Sequence, residues 1–369
     1  MDQMTITVDA LREMLEEGQP VTVLDIRPAT ERAEWSIPHS LHVDAYDALQ
    51  AGDPNALREI DLPAGHLVVT VCGAGKTSLI AAQQLRMRGL DAASLTGGMK
   101  AWSLAWNIAE ILLPASEARV IQVRRTGKGC LSYLIGAANV AVVVDPALEP
   151  EVYLALARRY GWTITGVLET HIHADHLSRA RPLCERSGAT HYVPDQRRIA
   201  FPFRAVREGD VVEIGPARLV ALHTPGHTPE STSYLLDDQA LLTGDTLFVA
   251  GVGRPDLEAT SDEARTRARM LYHSLHRLLA LGPAIRILPG HTGEPVAFDR
   301  KAVAASLAEV RERVGLLHLP EETFVESLMA RIPPTPPNHH QIVSLNEAGL
   351  MPVKDPTDLE AGANRCAIG

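Results

Sequence analysis

The chain has 369 residues, of which 46% are hydrophobic, 22% charged and 4% aromatic, with a formal net charge of −10. The length suggests two domains, each large enough for its own core. The acidic balance, without any Lys/Arg-rich run, argues against nucleic acid, and the lack of an apolar stretch of 18 residues or of an N-terminal apolar region argues against a membrane span or secretion. Four scattered cysteines, Cys72, Cys130, Cys184 and Cys366, suit reduced thiols and a cytoplasmic setting better than a disulfide framework.

In chain order, Thr5 to Val8 reads as a short strand, followed by a helix capped by Asp9. Val21-Thr22-Val23-Leu24-Asp25-Ile26 and Leu67-Val68-Val69-Thr70-Val71 are β-branched runs, expected as buried parallel strands. From Thr77 to Gly89 the apolar positions Leu79, Ala82 and Leu85 fall at helical spacing, so strand, loop and helix meet at Cys72. In Cys72-Gly73-Ala74-Gly75-Lys76-Thr77-Ser78 a thiol opens a Gly-rich loop whose backbone N–H groups can converge, with Lys76 nearby and a helix N-terminus beyond. That setting favours a thiolate and an anionic sulfur substrate. A phosphate-binding reading of Gly75-Lys76-Thr77 fails because Thr70 stands where the motif needs Gly. The plainer alternative is a small buried cysteine at a strand end.

Glu110 to Arg119, with Pro114-Ala115-Ser116, marks a composition break, placing the domains at residues 1–112 and 113–369. Beyond it, Val120 to Val123, Cys130 to Ile135 and Ala141 to Val144 read as hairpin strands, and Glu149 to Tyr160 as a helix. Gly166-Val167-Leu168 then leads into Thr170-His171-Ile172-His173-Ala174-Asp175-His176, more metal-ligand capacity than packing needs. His171 and His173 leave the strand on one face, and Asp175 and His176 are expected to open the next helix. Thr224-Pro225-Gly226-His227-Thr228, Leu241-Leu242-Thr243-Gly244-Asp245-Thr246 and Ile287-Leu288-Pro289-Gly290-His291 repeat the plan of a short strand ending on a donor. Thr260-Ser261-Asp262-Glu263 is a capping box for a helix to Leu281, and Pro333 to Pro337 reads as an ordered arm.

The order His171, His173, Asp175, His176, His227, Asp245, His291 and the words around them resemble the metallo-β-lactamase fold, an αββα sandwich of two mixed sheets. Asp25-Ile26-Arg27, Ile37-Pro38, the Cys72 loop and Gly97-Gly98-Met99-Lys100-Ala101-Trp102 resemble a rhodanese domain, an α/β parallel-sheet unit. That resemblance implies that Cys72 is a sulfurtransferase nucleophile carrying a persulfide, cradled by residues 73 to 78.

Ligand counting leaves two readings open. Two metals can share a bridging Asp245 and polarise water for hydrolysis, or one iron can sit in a facial triad of two histidines and a carboxylate. Gly244-Asp245-Thr246-Leu247-Phe248, Gly251-Val252-Gly253-Arg254-Pro255-Asp256-Leu257, Leu271-Tyr272-His273-Ser274-Leu275-His276 and Ala363-Asn364-Arg365-Cys366 resemble the persulfide dioxygenases of the sulfur dioxygenase branch. The resemblance implies one Fe(II) on His171, His227 and Asp245, with His173, Asp175, His176 and His291 around it without metal. It also implies Arg254 and Tyr272 at the substrate pocket; the alternative for Arg254 is a brace on Asp256. The combined expectation is oxidation of glutathione persulfide with O2 to sulfite, with Cys72 passing sulfane sulfur among thiols, sulfite and thiosulfate. The competing expectations are a glyoxalase II-type glutathione thioester hydrolase with two Zn2+, and a persulfide carrier using the metal domain as scaffold. The sequence leaves the oligomeric state open, a homo-oligomer included.

Overall fold

The structure is a computed structural model that describes residues 4–352, 355–362 and 364–369. Ala363, from the terminal Ala363 to Cys366 stretch, lies outside them. The N-terminal unit is a five-stranded sheet of β1 (Thr5–Ile6), β2 (Val21–Asp25), β3 (Leu41–His42), β4 (Leu67–Val71) and β5 (Ala92–Leu95). Its order is β1-β5-β4-β2-β3 and every pairing is parallel. The β-branched runs of β2 and β4 lie in the interior because both sheet faces are covered, one by Leu49, Ala81, Ala82 and Leu85, the other by Leu11, Met99 and Trp102. The first helix, Val8–Glu17, is capped by Thr7, whose hydroxyl accepts from the Ala10 N–H; Asp9, expected as the cap, lies inside the first turn.

The second unit has two mixed sheets. One contains β6 (Asn107–Leu112), β7 (Arg119–Arg125), β8 (Cys130–Ala137), β9 (Val140–Val144), β10 (Thr163–Leu168), β11 (Thr190–Pro194) and β12 (Arg204–Val206), paired in sequence order. The other contains β13 (Val211–Ile214), β14 (Ala217–His223), β15 (Thr232–Leu236), β16 (Ala240–Gly244), β18 (Arg286–Pro289) and β19 (Ala305–Ser306). Between β16 and β18 in the chain, β17 (Val252–Gly253) pairs with the terminal β20 (Ala367–Ile368) and brings Cys366 beside Arg254. Leu131, Tyr133 and Ile135 of β8 meet Leu219, Tyr234 and Leu242 of the opposing sheet in the central core. Helices Pro150–Tyr160 and Ala180–Ser187 cover the outer face of the first sheet, and Ser261–Leu279 with Glu321–Ala330 covers the second. This is the expected αββα sandwich. Leu271, Leu275 and Leu278 of the long helix are fully buried, each contributing roughly 2 kcal/mol of apolar burial. That helix opens on the expected Thr260–Glu263 capping box.

The domain boundary is earlier than the sequence break suggested. β6 pairs antiparallel with β7 along its whole length, so residues 107–112 form the edge of the second unit's sheet. Pro114-Ala115-Ser116 lies in the connection from β6 to β7, not between domains. A second correction concerns Asp175 and His176, which lie in a bend; the next helix begins at Ala180. Side chains from distant elements satisfy the loop backbone instead. Glu360 accepts from the Leu177 N–H at 2.7 Å, and Asn346 donates to the His173 and His176 carbonyls while accepting from the Ser178 N–H. The proline arm is ordered, and its Pro334 carbonyl accepts from Arg254. No described helix is long and apolar enough to cross a membrane, and all four cysteines are free.

Candidate active sites

Cys72 directly follows β4, and the helix Lys76–Met87 starts four residues later, so the loop must turn sharply around the thiol. The sulfur accepts from the Gly75 N–H at 3.2 Å and the Ser78 N–H at 3.4 Å, and lies 3.3 Å from the Ser78 hydroxyl. Ser78 in turn bonds Ser94 across the sheet at 2.8 Å. The expected nest therefore forms, with two converging amides and a hydroxyl relay. The loop is clamped from the other side by the N-terminus of helix Gly98–Trp102: the Met99 N–H donates to the Cys72 carbonyl and the Lys100 N–H to the Gly73 carbonyl. Gly98 permits that approach, since a Cβ there would lie 2.2 Å from the Cys72 carbonyl oxygen and 2.7 Å from the Gly75 nitrogen. Ala74 and Lys76 are exposed at the loop rim, whereas Thr77 is buried and accepts from Gln50. Ser78 lies in the expected cradle of residues 73 to 78, whereas Ser94 was not singled out from sequence; it arrives from β5, and no local pattern marks it.

In the second unit the seven expected donors converge beyond the strand ends, all of them buried. They do not form one set. His171, His227 and Asp245 make one group whose ligand atoms lie within 4.8 Å of one another. Asp245 Oδ2 is 3.7 Å from His227 Nε2 and 4.0 Å from His171 Nε2, and it has no hydrogen-bond partner. Both imidazoles are oriented through their other nitrogen. His171 Nδ1 lies 2.9 Å from the Thr170 hydroxyl, whose own proton goes to Asp145, and His227 Nδ1 lies 2.7 Å from the Arg254 carbonyl. Both Nδ1 atoms are thereby donors and both Nε2 lone pairs face the group. Burial, together with neighbouring histidines, pushes the pKa of His171 well down, and burial lowers that of His227, so both rings are neutral near pH 7. Burial would raise the Asp245 carboxyl, but the charge and hydrogen bond of His291 hold it below the usual carboxylate range. Two neutral imidazoles and an ionised carboxylate with an unpartnered oxygen fit one divalent metal ion.

The other four donors are engaged elsewhere. His173 Nε2 turns to Asp145 and Glu169, 3.3 Å from each, and these carboxylates overcome burial and pull its pKa well above the ordinary value. His291 bridges two carboxylates, Nδ1 at 2.5 Å from Asp245 Oδ1 and Nε2 at 2.8 Å from Asp175 Oδ2; it too is held protonated against the effect of burial. Asp175 also contacts His176 at 3.1 Å and Asn364 at 3.1 Å. Cys130, not singled out from sequence, completes a second group with Asp175, His176 and His291. Burial and Asp175 raise its thiol while His176 and His291 lower it, the net result being a pKa of about 6. Asp145 and Glu169 were also missed. Both follow strand ends, the position that marked the histidines, and that was the available signal.

The two residues expected at the substrate pocket are placed differently. Arg254 is fully buried and forks onto Asp256 at 2.8 Å through two nitrogens, with the Pro334 and Arg365 carbonyls as further acceptors. It braces the loop whose carbonyl orients His227, and has no free donor face for a substrate. Tyr272 packs on His276 and Phe324, and lines neither of the two cavities that touch the triad. One of those cavities, about 30 Å³, lies beside His171 and His173; the other, about 20 Å³, lies beside His227 with Arg198 and Arg267 among its walls.

Residues 125–291 match the metallo-beta-lactamase superfamily and residues 7–105 the rhodanese-like domain. The chain is 34% identical over 220 residues to the hydroxyacylglutathione hydrolase of Rhodopseudomonas palustris strain BisB18, covering 56% of this chain and 82% of that protein. The chain belongs to the metallo-beta-lactamase superfamily. Among solved metallo-beta-lactamase-like structures, that of a metallo-beta-lactamase from Staphylococcus aureus subsp. aureus COL is 30% identical, covers 65% of this chain and 75% of that one, and superposes with a TM-score of 0.59. The structure of ETHE1 from Myxococcus xanthus is 32% identical and covers 62% of this chain and 98% of that one, with a TM-score of 0.55. The superfamily fold accounts for the sandwich, and the rhodanese-like match for the Cys72 unit in front of it.

Proposed function

We propose that this protein oxidises a glutathione-type persulfide with O2 to sulfite at a single Fe(II), and moves sulfane sulfur through Cys72. The observation that carries the reading is the partition of donors: His171, His227 and Asp245 point free ligand atoms at one place, while His173 lies against Asp145 and Glu169 and His291 lies between Asp175 and Asp245. A ring nitrogen turned to a carboxylate is turned away from the place where the triad's free atoms meet. His171, His227 and Asp245 would hold the iron, which would supply oxygen activation next to the substrate sulfur. In the balanced reaction the terminal sulfur gains two oxygen atoms from O2 and one from water, and the thiol and two protons are released. The protein's part is to hold the carboxylate and imidazoles in register through Thr170, the Arg254 carbonyl and His291, and to keep bulk water from the buried triad. In the N-terminal unit the Cys72 thiolate takes sulfane sulfur from thiosulfate with release of sulfite, or a Cys72 persulfide gives it to sulfite.

A second reading has its own support. The relatives named hydroxyacylglutathione hydrolase, together with the Cys130, Asp175, His176 and His291 group, favour a two-metal thioester hydrolase. Elemental analysis of protein purified without added metal, paired with oxygen consumption on glutathione persulfide, separates the two. About one iron per chain with oxygen uptake supports the dioxygenase. Two zinc ions, no uptake and thioester cleavage would establish the hydrolase instead.

A further inference from the structure

Two adjacent histidines open the helix His339–Ala348, just after the proline arm, and both reach Glu258 in the loop that follows Arg254. His339 Nε2 is 3.5 Å from Glu258 Oε1, and His340 Nδ1 contacts the same oxygen. The three ligand atoms lie within 4.8 Å of one another, and none of these residues is among the seven donors around the triad. Glu258 is presented in an unusual way. Its φ is +55°, a left-handed conformation that Glu rarely adopts, and Arg267 holds its carbonyl at 3.1 Å.

The orientation of His339 is decided by the Pro336 carbonyl, 2.9 Å from Nδ1. A carbonyl only accepts, so Nδ1 carries the hydrogen, and in the neutral ring Nε2 presents its lone pair to the Glu258 carboxylate. Lone pair and carboxylate repel each other unless a cation stands between them. A backbone carbonyl that fixes the tautomer is also the usual support of a metal-ligating histidine. The open pocket of about 570 Å³ around these residues adds Asp256 and Glu263 to its wall, with no lysine or arginine among the described residues that line it. Asp256 is already held by Arg254, and Glu263 caps the helix at Thr260, which leaves Glu258 as the carboxylate that faces the histidines. The positive end of the helix amounts to about half an elementary charge, less than the full negative charge of Glu258.

We propose that Glu258, His339 and His340 bind a divalent transition-metal ion of the Zn2+ class, separate from the His171, His227 and Asp245 triad. Two imidazoles and a carboxylate suit such an ion, whereas Mg2+ and Ca2+ take oxygen ligands. The ion acts as a brace between two elements that support the triad from outside. The Arg254 carbonyl, at the start of the Glu258 loop, orients His227, and Asn346 of the helix holds the His173 and His176 carbonyls. Leu257 and Val343, from the same loop and helix, pack together and wall the small cavity beside His227. The inference requires no particular reaction at the triad.

The test is calorimetric titration of the full chain, carrying the metal it is purified with, with Zn2+ and separately with Mg2+, in the parent, Glu258→Gln and His340→Asn. The parent is expected to show a Zn2+-binding step that each variant weakens at least tenfold, and Zn2+ should raise the thermal midpoint of the parent and not of the variants. The His340 side chain is 75% exposed, so His340→Asn keeps the question open to measurement should Glu258→Gln fail to fold. Equal Zn2+ binding in the parent and both variants would leave the three residues an ion pair and overturn the site. Mg2+ bound as tightly as Zn2+ would overturn the assignment to a transition metal. Both variants should keep the triad's own metal, so absence of oxygen uptake in the parent bears only on the dioxygenase, and zinc held here is told apart from the second ion of a two-metal hydrolase.

Discussion

Replacing Glu360 with Gln should loosen the metal loop from a distance in sequence of nearly 200 residues. The carboxylate is fully buried, bonds Arg125 at 2.8 Å, pairs with Arg179 and accepts from the Leu177 N–H directly after His176. Burial would raise its pKa, but the two arginines pull it from the ordinary 4.5 down to about 2. A difference of that size corresponds to roughly 3 kcal/mol, in line with the ~3–5 kcal/mol lost when one partner of a buried ion pair is removed. Gln keeps the shape and leaves two guanidiniums, each 1% exposed, with Arg125 lacking a counter-charge and Arg179 keeping only the exposed Glu149 at 3.4 Å. Urea unfolding at pH 7 should show the variant less stable by about 3 kcal/mol, with reduced metal occupancy. The pH dependence has a definite sign. Because the folded pKa is depressed, the stabilisation is complete above about pH 4.5 and is lost as pH falls towards 2, so parent and variant should converge there. A loss below about 1 kcal/mol at pH 7, or a difference that persists near pH 2, would refute the argument that the charge of Glu360 secures the loop.

Cys72→Ser should abolish sulfur transfer, a loss on the order of 10³-fold or more for removal of a nucleophile, and leave oxygen uptake largely intact; loss of both would show that the two units do not work separately. His227→Ala should remove stoichiometric metal, whereas His173→Asn should retain about one ion per chain, as measured by elemental analysis of the purified variants; equal loss in both would place His173 among the ligands. Gly98→Ala forces a Cβ against the Cys72 carbonyl at positive φ, a strain of ~1–3 kcal/mol, and should slow sulfur transfer while oxygen uptake is unchanged. A rhodanese assay beside an oxygen electrode checks this, and unchanged transfer would mean the loop gives way freely.

The sequence by itself determined the two units and where a thiol loop and a set of metal-ligand side chains lie in them. Cys72 ahead of a Gly-rich loop, and His171, His227 and Asp245 each at the end of a short apolar strand, are local patterns, and local backbone geometry alone brings such residues to strand ends. How the donors divide was decided by the tertiary structure. Whether His173 is a ligand or a cation depends on Asp145 and Glu169, and whether His291 coordinates or bridges depends on the distance between Asp175 and Asp245; those distances follow from sheet packing, to which spacing along the chain is blind. The same holds for residues 107–112, whose alternation suits an edge strand of either unit until β7 offers its open edge, and for the 169–179 loop, whose backbone partners, Asn346 and Glu360, come from the far end of the chain. Arg254 illustrates the limit most directly. Its charge made it a plausible substrate anchor, but only the fold shows that Asp256 and two carbonyls have already taken its donors.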